Sequence, residues 1–310
     1  MAVGEPVKVA LLGTGALGAA MARSLTRSAA SLTLWNRSRD RATRLAQEIG
    51  ARVADSPADA VADADVVLTA LSDRTAVEAV YLGPGGVLEG ARAGLIVCEM
   101  STVEPSISVH LAEALAVVGA HVLDAPVSGS VSLAEQGSLT LMVGGETQVL
   151  DRARGVLDLL GSRIFHMGPV GRGAAMKLAV NSVLHGLNQA LSEALVLAEH
   201  ADINRELAYD VLQNSAAAAP FVHYKRDSFL DPAHAPVMSR LALARKDMQL
   251  VLELARSLSV TMAQGEANLA VLDAAAERYG SRDMSALAEY MSGLAGDRTP
   301  RLSSTDATDV

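Results

Sequence analysis

Short apolar runs alternate with amphipathic stretches along the first half of the chain. Val7–Leu12, Leu32–Trp35, Val66–Ala70, Leu95–Glu99 and His121–Asp124 read as strands, and Leu139–Val143 extends the series. Between them Ala16–Ser28, Arg39–Ile49, Thr75–Tyr81, Pro105–Val118 and Thr147–Leu160 carry the spacing of helices with one apolar face. Such alternation predicts an α/β fold, a doubly wound parallel sheet with helices on both faces. The texture changes near "FHMGPVGRGAAMK", residues 165–177. Beyond it helical patterns dominate, at about Gly173–Ala201, Arg205–Ser215, Arg240–Leu258, Thr261–Tyr279 and Ser285–Met291, while the proline-bearing stretch Pro220–Pro236 reads as an irregular connector. The expected organisation is a sheet domain over 1–166, an all-helical domain over 167–296 and a disordered tail over 297–310, whose "DRTPRLSSTDATDV" lacks apolar periodicity. A helix beginning near Gly173 is expected to link the domains, which should meet at a cleft.

Composition narrows the function classes. A length of 310 residues suits two domains, and a net charge of −9 argues against a broad nucleic-acid surface. The single cysteine, Cys98, excludes an internal disulfide framework or a cysteine-rich zinc site, and the seven histidines show no metal-ligand spacing. The first apolar run breaks at Gly13, too early for a membrane span, and no cleavage pattern follows, so a cytoplasmic protein without a membrane partner is expected. Aromatic residues make up only 3 %, so packing rests on Ala, Leu and Val. Helices as apolar as Ala190–Ala201 predict a homodimer or larger homo-oligomer formed through the helical half.

Chemistry begins at "LLGTGALGAAM", Leu11–Met21, where G-x-G-x-x-G follows a predicted strand and opens a predicted helix. In the Rossmann arrangement Gly13 permits the tight turn, Gly15 lets backbone approach a pyrophosphate, and Gly18 allows close helix–sheet packing. Thr14, Ala16 and Leu17 complete a loop whose N–H groups face the phosphates at a helix N-terminus. The alternative is an ordinary glycine-rich turn. The end of the second strand selects between dinucleotides. An acidic residue there would accept from a ribose hydroxyl, but "WNRSRDR" supplies Asn36, Arg37 and Ser38, then Arg39 and Arg41. Guanidinium and hydroxyl donors suit a 2′-phosphate, hence NADP, against the plainer reading of a solvated basic helix start.

Five ordered stretches then carry a resemblance. With the glycine loop and "MSTVEPS" (Met100–Ser106), "DAPVSGS" (Asp124–Ser130), "GRGAAMKLAVN" (Gly171–Asn181) and "RKDMQL" (Arg245–Leu250) resemble the β-hydroxyacid dehydrogenase family, which includes 3-hydroxyisobutyrate dehydrogenases. "WNRS", "PVSGS" and "KDM" are most similar to its glyoxylate/succinic semialdehyde reductase branch, which prefers NADPH. The resemblance implies reversible reduction of a small carboxylate-bearing aldehyde or keto acid, a chemistry that requires no metal. It assigns the lysine of "KDM", Lys246, to the cofactor and places Thr102 on the nicotinamide ribose side; Leu71 and Ser72 lie where a dinucleotide crosses the sheet.

The residues fit that chemistry. Lys177 and Asn181 stand four apart on a predicted helix and share a face, so Lys177 can donate the proton and Asn181 can hydrogen-bond substrate or lysine. Ser128, Gly129 and Ser130 offer hydroxyls and backbone N–H groups to a carboxylate. Asp247 either orients a lysine or is a solvated helix charge. The chain departs from the family pattern at Ser182, where many relatives carry a second asparagine, and at Ser130, where many carry glycine. His185 is expected to pack or be exposed rather than to catalyse, and His223 and Tyr224 receive no role. Two alternatives compete: an imine reductase of shared architecture, disfavoured by the lysine at 177, and a catalytically silent cofactor-binding scaffold, disfavoured by Lys177, Asn181 and Lys246.

Overall fold

The computed structural model describes residues 7–27 and 31–296; the disordered tail expected at 297–310 lies outside them. The chain divides after Val180 into two compact units. The first is built on nine strands: β1 (Lys8–Leu12), β2 (Ser31–Trp35), β3 (Arg52–Val53), β4 (Val66–Thr69), β5 (Ile96–Glu99), β6 (His121–Asp124), β7 (Val127–Ser128), β8 (Leu139–Gly144) and β9 (Gly161–Gly168). They run in the order β3-β2-β1-β4-β5-β6-β8-β7, with β9 beside β8. The six-strand portion β3-β2-β1-β4-β5-β6 is all parallel and has the doubly wound Rossmann order, reversing direction between β1 and β4.

Alternation along each strand builds a core on each face of the sheet. Val9 and Leu11 of β1 join Val66, Leu68, Ile96 and Cys98 under helices Ala16–Leu25, Arg39–Ile49 and Thr147–Leu157. Ala10 and Leu12 join Val67, Leu95 and Val97 under helices Pro57–Val61, Arg74–Leu82 and Pro105–Ala116. Every one of these strand positions is buried, which is why the strands read as continuous apolar runs rather than as polar–apolar alternation.

One expectation needs correction, and one strand has no counterpart in the apolar pattern. The sheet is mixed, because β8 runs antiparallel to β6 and β7. β9 was not legible as a strand: most of its residues are exposed or half-buried, and it is held by its ladder to β8 instead of by an apolar pattern.

The second unit, from Asn181 onward, is helical. The long helix Arg172–His200 runs from the first unit into it and is followed by Arg205–Gln213, Leu241–Ser257, Ala263–Tyr279, a 3₁₀ turn at Met284–Ala286, and Leu287–Ala295. The expected irregular connector contains two single-turn helices, Pro220–Tyr224 and Arg226–Leu230. Pro220 stands at the first helical position, where its missing N–H costs nothing. Phe221 and Phe229 anchor these turns edge to face, and Tyr209 joins them. Among the described residues, no helix is long and apolar enough to cross a membrane.

Candidate active site

Strand register brings the sequence-predicted groups of the first unit to one edge. Trp35, Leu12, Thr69, Glu99 and Asp124 are successive Cα partners across β2, β1, β4, β5 and β6. The residues that follow each of them therefore leave the sheet along a single carboxyl-terminal row, where doubly wound sheets bind ligands.

The glycine loop leaves β1 on this row. Gly13 has φ +100°, and its N–H donates to Trp35 O at 2.8 Å, so the loop turns back over β2. A Cβ on Gly18 would lie 2.0 Å from the carbonyl oxygen of Gly13, so the helix can start this close to the loop only with glycine there. Gly15 meets nothing within 4 Å, and helix Ala16–Leu25 begins on it with no side-chain cap and no acidic residue in its first turn. An exposed, uncapped helix N-terminus without a Cβ in front of it fits a pyrophosphate. Asn36 ties the loop to the end of β2: its Oδ1 accepts from Thr14 N–H at 3.0 Å, and its Nδ2 donates to Ser38 O at 3.0 Å. Arg37 and Ser38 are exposed beyond it, whereas Arg39 is ion-paired with Asp55.

A buried network sets the next two loops. Glu99, 1 % exposed, accepts from the Thr69 hydroxyl at 2.6 Å and from Ser101 N–H at 2.7 Å, and Tyr81 OH lies 2.9 Å from the same Thr69 oxygen. Ser101 Oγ in turn accepts from Leu71 N–H at 2.8 Å. The stretches carrying Leu71–Ser72 and Thr102 are thus joined to each other. Burial raises the Glu99 carboxyl above its ordinary range, with the Ser101 and Thr69 hydrogen bonds opposing it in part. Sequence reasoning missed this group, since Glu99, Thr69 and Tyr81 are far apart in the chain and belong to no motif.

Asp124 opens the "DAPVSGS" motif, which by itself gives it no role. It is buried, and its two carboxylate oxygens accept from Gly171 N–H at 2.8 Å and Ala174 N–H at 2.7 Å. The carboxylate therefore satisfies main-chain donors at the start of helix Arg172–His200 and favours the positive end of its dipole. This fixes the helix start to the strand from which the 124–130 stretch departs. Lys177 is six residues beyond Gly171, roughly 9 Å along the axis, and is half-buried. In the same stretch Ser128 lies half-buried on β7 and Gly129 is exposed, but Ser130 turns inward. Its Oγ caps helix Val131–Glu135 by accepting from Leu133 N–H at 3.3 Å and lies 2.7 Å from Ser132 Oγ.

Asn181, one turn after Lys177, is 2 % exposed, and its Nδ2 donates to Asp247 Oδ2 at 2.8 Å. Asp247 is 6 % exposed, which decides its open reading: it is a buried partner of Asn181 and not a solvated helix charge. Lys246 Nζ stands 3.0 Å from its other oxygen and His185 Nε2 3.6 Å from Oδ2. Burial pushes Asp247 up, but the His185 ring and the Lys246 ammonium outweigh it and hold the carboxylate below its ordinary range. His185 is buried, as a packing residue would be. Elsewhere in the helical unit His223 is exposed, and Tyr224 packs edge to face on Phe221.

Similarity to known proteins covers both units. Residues 8–168 match the NAD binding domain of 6-phosphogluconate dehydrogenase, and residues 171–291 match the NAD-binding region of NADP-dependent 3-hydroxyisobutyrate dehydrogenase. The chain is 34% identical over 284 residues to glyoxylate/succinic semialdehyde reductase 1 of Arabidopsis thaliana, covering 91% of this chain and 98% of that one. It is 30% identical over 294 residues to 2-(hydroxymethyl)glutarate dehydrogenase of Eubacterium barkeri, covering 94% and 97%. Among solved structures, the 3-hydroxyisobutyrate dehydrogenase of Mycobacterium tuberculosis with L-serine superposes at a TM-score of 0.81 and 29% identity, over 92% of this chain and 99% of that one. The chain belongs to the β-hydroxyacid dehydrogenases, NAD(P)-dependent oxidoreductases of the 3-hydroxyisobutyrate dehydrogenase type.

Proposed function

We propose that this protein is an NADPH-dependent reductase of a small aldehyde or keto acid, acting reversibly on the hydroxy acid, in the manner of the glyoxylate/succinic semialdehyde reductases. The observation that carries the reading is the Asp124 clamp, which fixes the helix bearing Lys177 to the strand that leads into Ser128 and Gly129. Bound NADPH supplies the hydride that adds to the carbonyl carbon. Negative charge then develops on the carbonyl oxygen, and the Lys177 ammonium stabilises it and delivers the proton. Ser128 and the backbone around Gly129 hold the substrate carboxylate; Ser130, committed to its helix cap, supports the loop from within. The loop Gly13–Gly18 holds the pyrophosphate, and Lys246 keeps the cofactor role that its motif gives it. Exposed Val183, Leu197, Val211 and Leu294 support association of copies through the helical unit.

Two experiments test this. Lys177→Ala is expected to lower kcat by about 10²–10⁴, with NADPH affinity nearly unchanged. Lys177→Arg should not rescue, because guanidinium keeps the charge but does not give up its proton. The assay panel is glyoxylate, succinic, tartronate and methylmalonate semialdehydes, and a cyclic imine. Near-wild-type turnover by Lys177→Ala overturns the acid assignment, and preference for the imine overturns the substrate class. Cofactor choice rests on exposed Arg37, beyond the Asn36 tie. Asn36→Asp with Arg37→Gln keeps the acceptor for Thr14 N–H and removes the guanidinium. NADPH affinity should then fall about 10- to 100-fold, the worth of one charge-assisted contact of roughly 1.5–3 kcal/mol. An unchanged preference in titrations with NADPH and NADH would place the 2′-phosphate elsewhere.

A further inference from the structure

The long helix carries a buried polar stripe of which the expected chemistry uses only Asn181. Asn181, His185, Asn188 and Ser192 recur at helical spacing and are 2 %, 3 %, 1 % and 0 % exposed. Most of these groups have a definite task. Asn188 Nδ2 donates to Met284 O at 3.2 Å, and Ser192 Oγ donates to Asn188 O at 2.7 Å. Asn268, from helix Ala263–Tyr279, donates to His185 O at 3.3 Å and Gln189 Oε1 at 2.7 Å. The His185 ring differs: neither nitrogen has a hydrogen-bond partner, although the side chain is buried. An apolar side chain would fill such a position without the desolvation penalty.

The ring stands beside the Asp247 carboxylate. Its Nε2 lies 3.6 Å from Asp247 Oδ2, too long for a hydrogen bond and close enough for a small ring movement to make one. The same oxygen accepts from Asn181 Nδ2 at 2.8 Å. A carboxylate only accepts, so this contact fixes which way the Asn181 amide is turned: the NH₂ faces Asp247. Asn181 Oδ1, buried and without a hydrogen-bond partner, is left to accept from a donor. The charged groups at the cluster are Asp247 itself and Lys246, which stands at the far oxygen, Oδ1. Oδ2 is thus the point where the imidazole and the Asn181 amide meet.

We propose that His185 is a positioning residue for Asn181: its imidazole and the Asn181 amide share Asp247 Oδ2, and this clamp holds the Asn181 carbonyl oxygen toward a hydroxyl or ammonium donor. This rests on the reductase reading only for what the donor is, namely the hydroxyl of the hydroxy acid or the proton-bearing lysine. The orientation of the amide stands without it.

The test combines NMR of the ligand-free chain with kinetics. The Asn181 side-chain NH₂ resonance is followed in wild type, His185→Phe, His185→Gln and Asp247→Asn. The clamp requires that His185→Phe and Asp247→Asn each displace this signal, and that Phe adds nothing once Asp247 is Asn. Gln, whose amide can donate to the same oxygen, should leave the signal near its wild-type place. In turnover, His185→Phe should raise KM for the hydroxy acid about three- to tenfold, the loss of one hydrogen bond, with kcat altered less. His185→Gln should restore it. An Asn181 signal unmoved by His185→Phe overturns the proposal, as do Phe and Asn effects that simply add. Should Phe fail to fold, His185→Ala removes the donor while leaving room and is read the same way. If the chain reduced no aldehyde acid, the reductase reading would fall while the NMR signal still decided the clamp.

Discussion

In the sheet unit the proposed site combines main-chain donors with the side chains of Arg37, Ser128 and Lys177, whereas in the helical unit it is made of side chains alone, most of them buried. The glycine loop presents N–H groups at an uncapped helix start, and its shape is set by what glycine lacks. Side chains there act as props: Asn36 holds Thr14, Ser101 holds Leu71, and Asp124 holds Gly171 and Ala174. The helical unit has satisfied its backbone within its helices, so polar specificity must come from Asn181, His185, Asn188, Asp247 and Asn268. Asn181, His185, Asn188 and Asn268 each keep at least one buried side-chain atom without a hydrogen-bond partner. A main-chain site tolerates side-chain change and fails when a Cβ is added. A side-chain site fails when one partner of a pair is removed.

The strongest way to sharpen this contrast is to remove such a partner. Lys225 Nζ lies 2.6 and 2.7 Å from the two oxygens of Asp283, with side-chain exposures of 2% and 1%. Asp283 also accepts from Met238, Ser239 and Ser285 N–H groups at 2.9, 3.1 and 3.1 Å, so it gathers the end of the connector onto the 3₁₀ turn. Burial pushes Asp283 up, but Lys225 and these donors outweigh it and hold the carboxylate below its ordinary range. Lys225 is itself pushed down by burial, which Asp283 offsets only in part. Asp283→Ala leaves an unpaired buried ammonium and should cost about 3–5 kcal/mol, read as a lowered urea midpoint of unfolding. A loss below 1 kcal/mol would mean that this unit does not depend on its buried pairs.

The sheet unit is broken by addition. A Cβ at Gly18 must displace the Gly13 carbonyl, so Gly18→Ala should destabilise by about 1–3 kcal/mol and also lose cofactor binding. Gly15 has φ −67°, which alanine adopts readily, and nothing within 4 Å of an added Cβ. Gly15→Ala should therefore leave the unfolding midpoint nearly unchanged while weakening NADP(H), measured by fluorescence titration. Equal losses of stability in the two variants would remove the distinction between a glycine kept for packing and one kept for the ligand.

The same contrast explains what the sequence made legible. A main-chain site needs consecutive residues, so the glycine loop, "WNRS" and "DAPVSGS" stand out as short words, and five of the six parallel strands, β1, β2, β4, β5 and β6, were legible as apolar runs. Asp247 was half legible because its motif drew attention to it, while its burial was not. The His185–Asp247–Asn181 cluster spans two helices and the Glu99–Thr69–Tyr81 network two strands and a helix, so no local pattern announces either. β3 and β7, at two residues each, are too short for any periodicity. Ser130 shows the converse failure: a hydroxyl in a promising loop is used by a helix cap, a choice set by backbone geometry.

Glu99 gives the finest discrimination, because its pH linkage has the opposite sign to that of Asp283. Burial is the largest influence on its carboxyl and raises it above the ordinary value of 4.5, despite the hydrogen bonds from Ser101 and Thr69. A group raised on folding binds its proton more tightly in the native state. Its contribution to stability is then fully present below 4.5 and is lost as pH rises through the folded value. Asp283, held low, contributes above the ordinary aspartate range and loses that contribution as pH falls. Glu99→Gln is close in shape and cannot ionise: its carbonyl can accept from Ser101 N–H, and its amide can donate to the Thr69 oxygen. Urea unfolding of wild type and Glu99→Gln from pH 4 upward should show wild type losing ground to the variant from about 4.5, with a plateau once Glu99 is ionised in both states. Unlike Asp283→Ala, this change should cost little at the acid end, since a protonated glutamate and a glutamine make equivalent contacts. A difference that stayed flat, or grew in favour of wild type with rising pH, would show that Thr69 and Ser101 hold Glu99 ionised. The sheet unit would then hold a buried charge of the same kind as Asp283, and the division between main-chain and side-chain sites would not extend to their electrostatics.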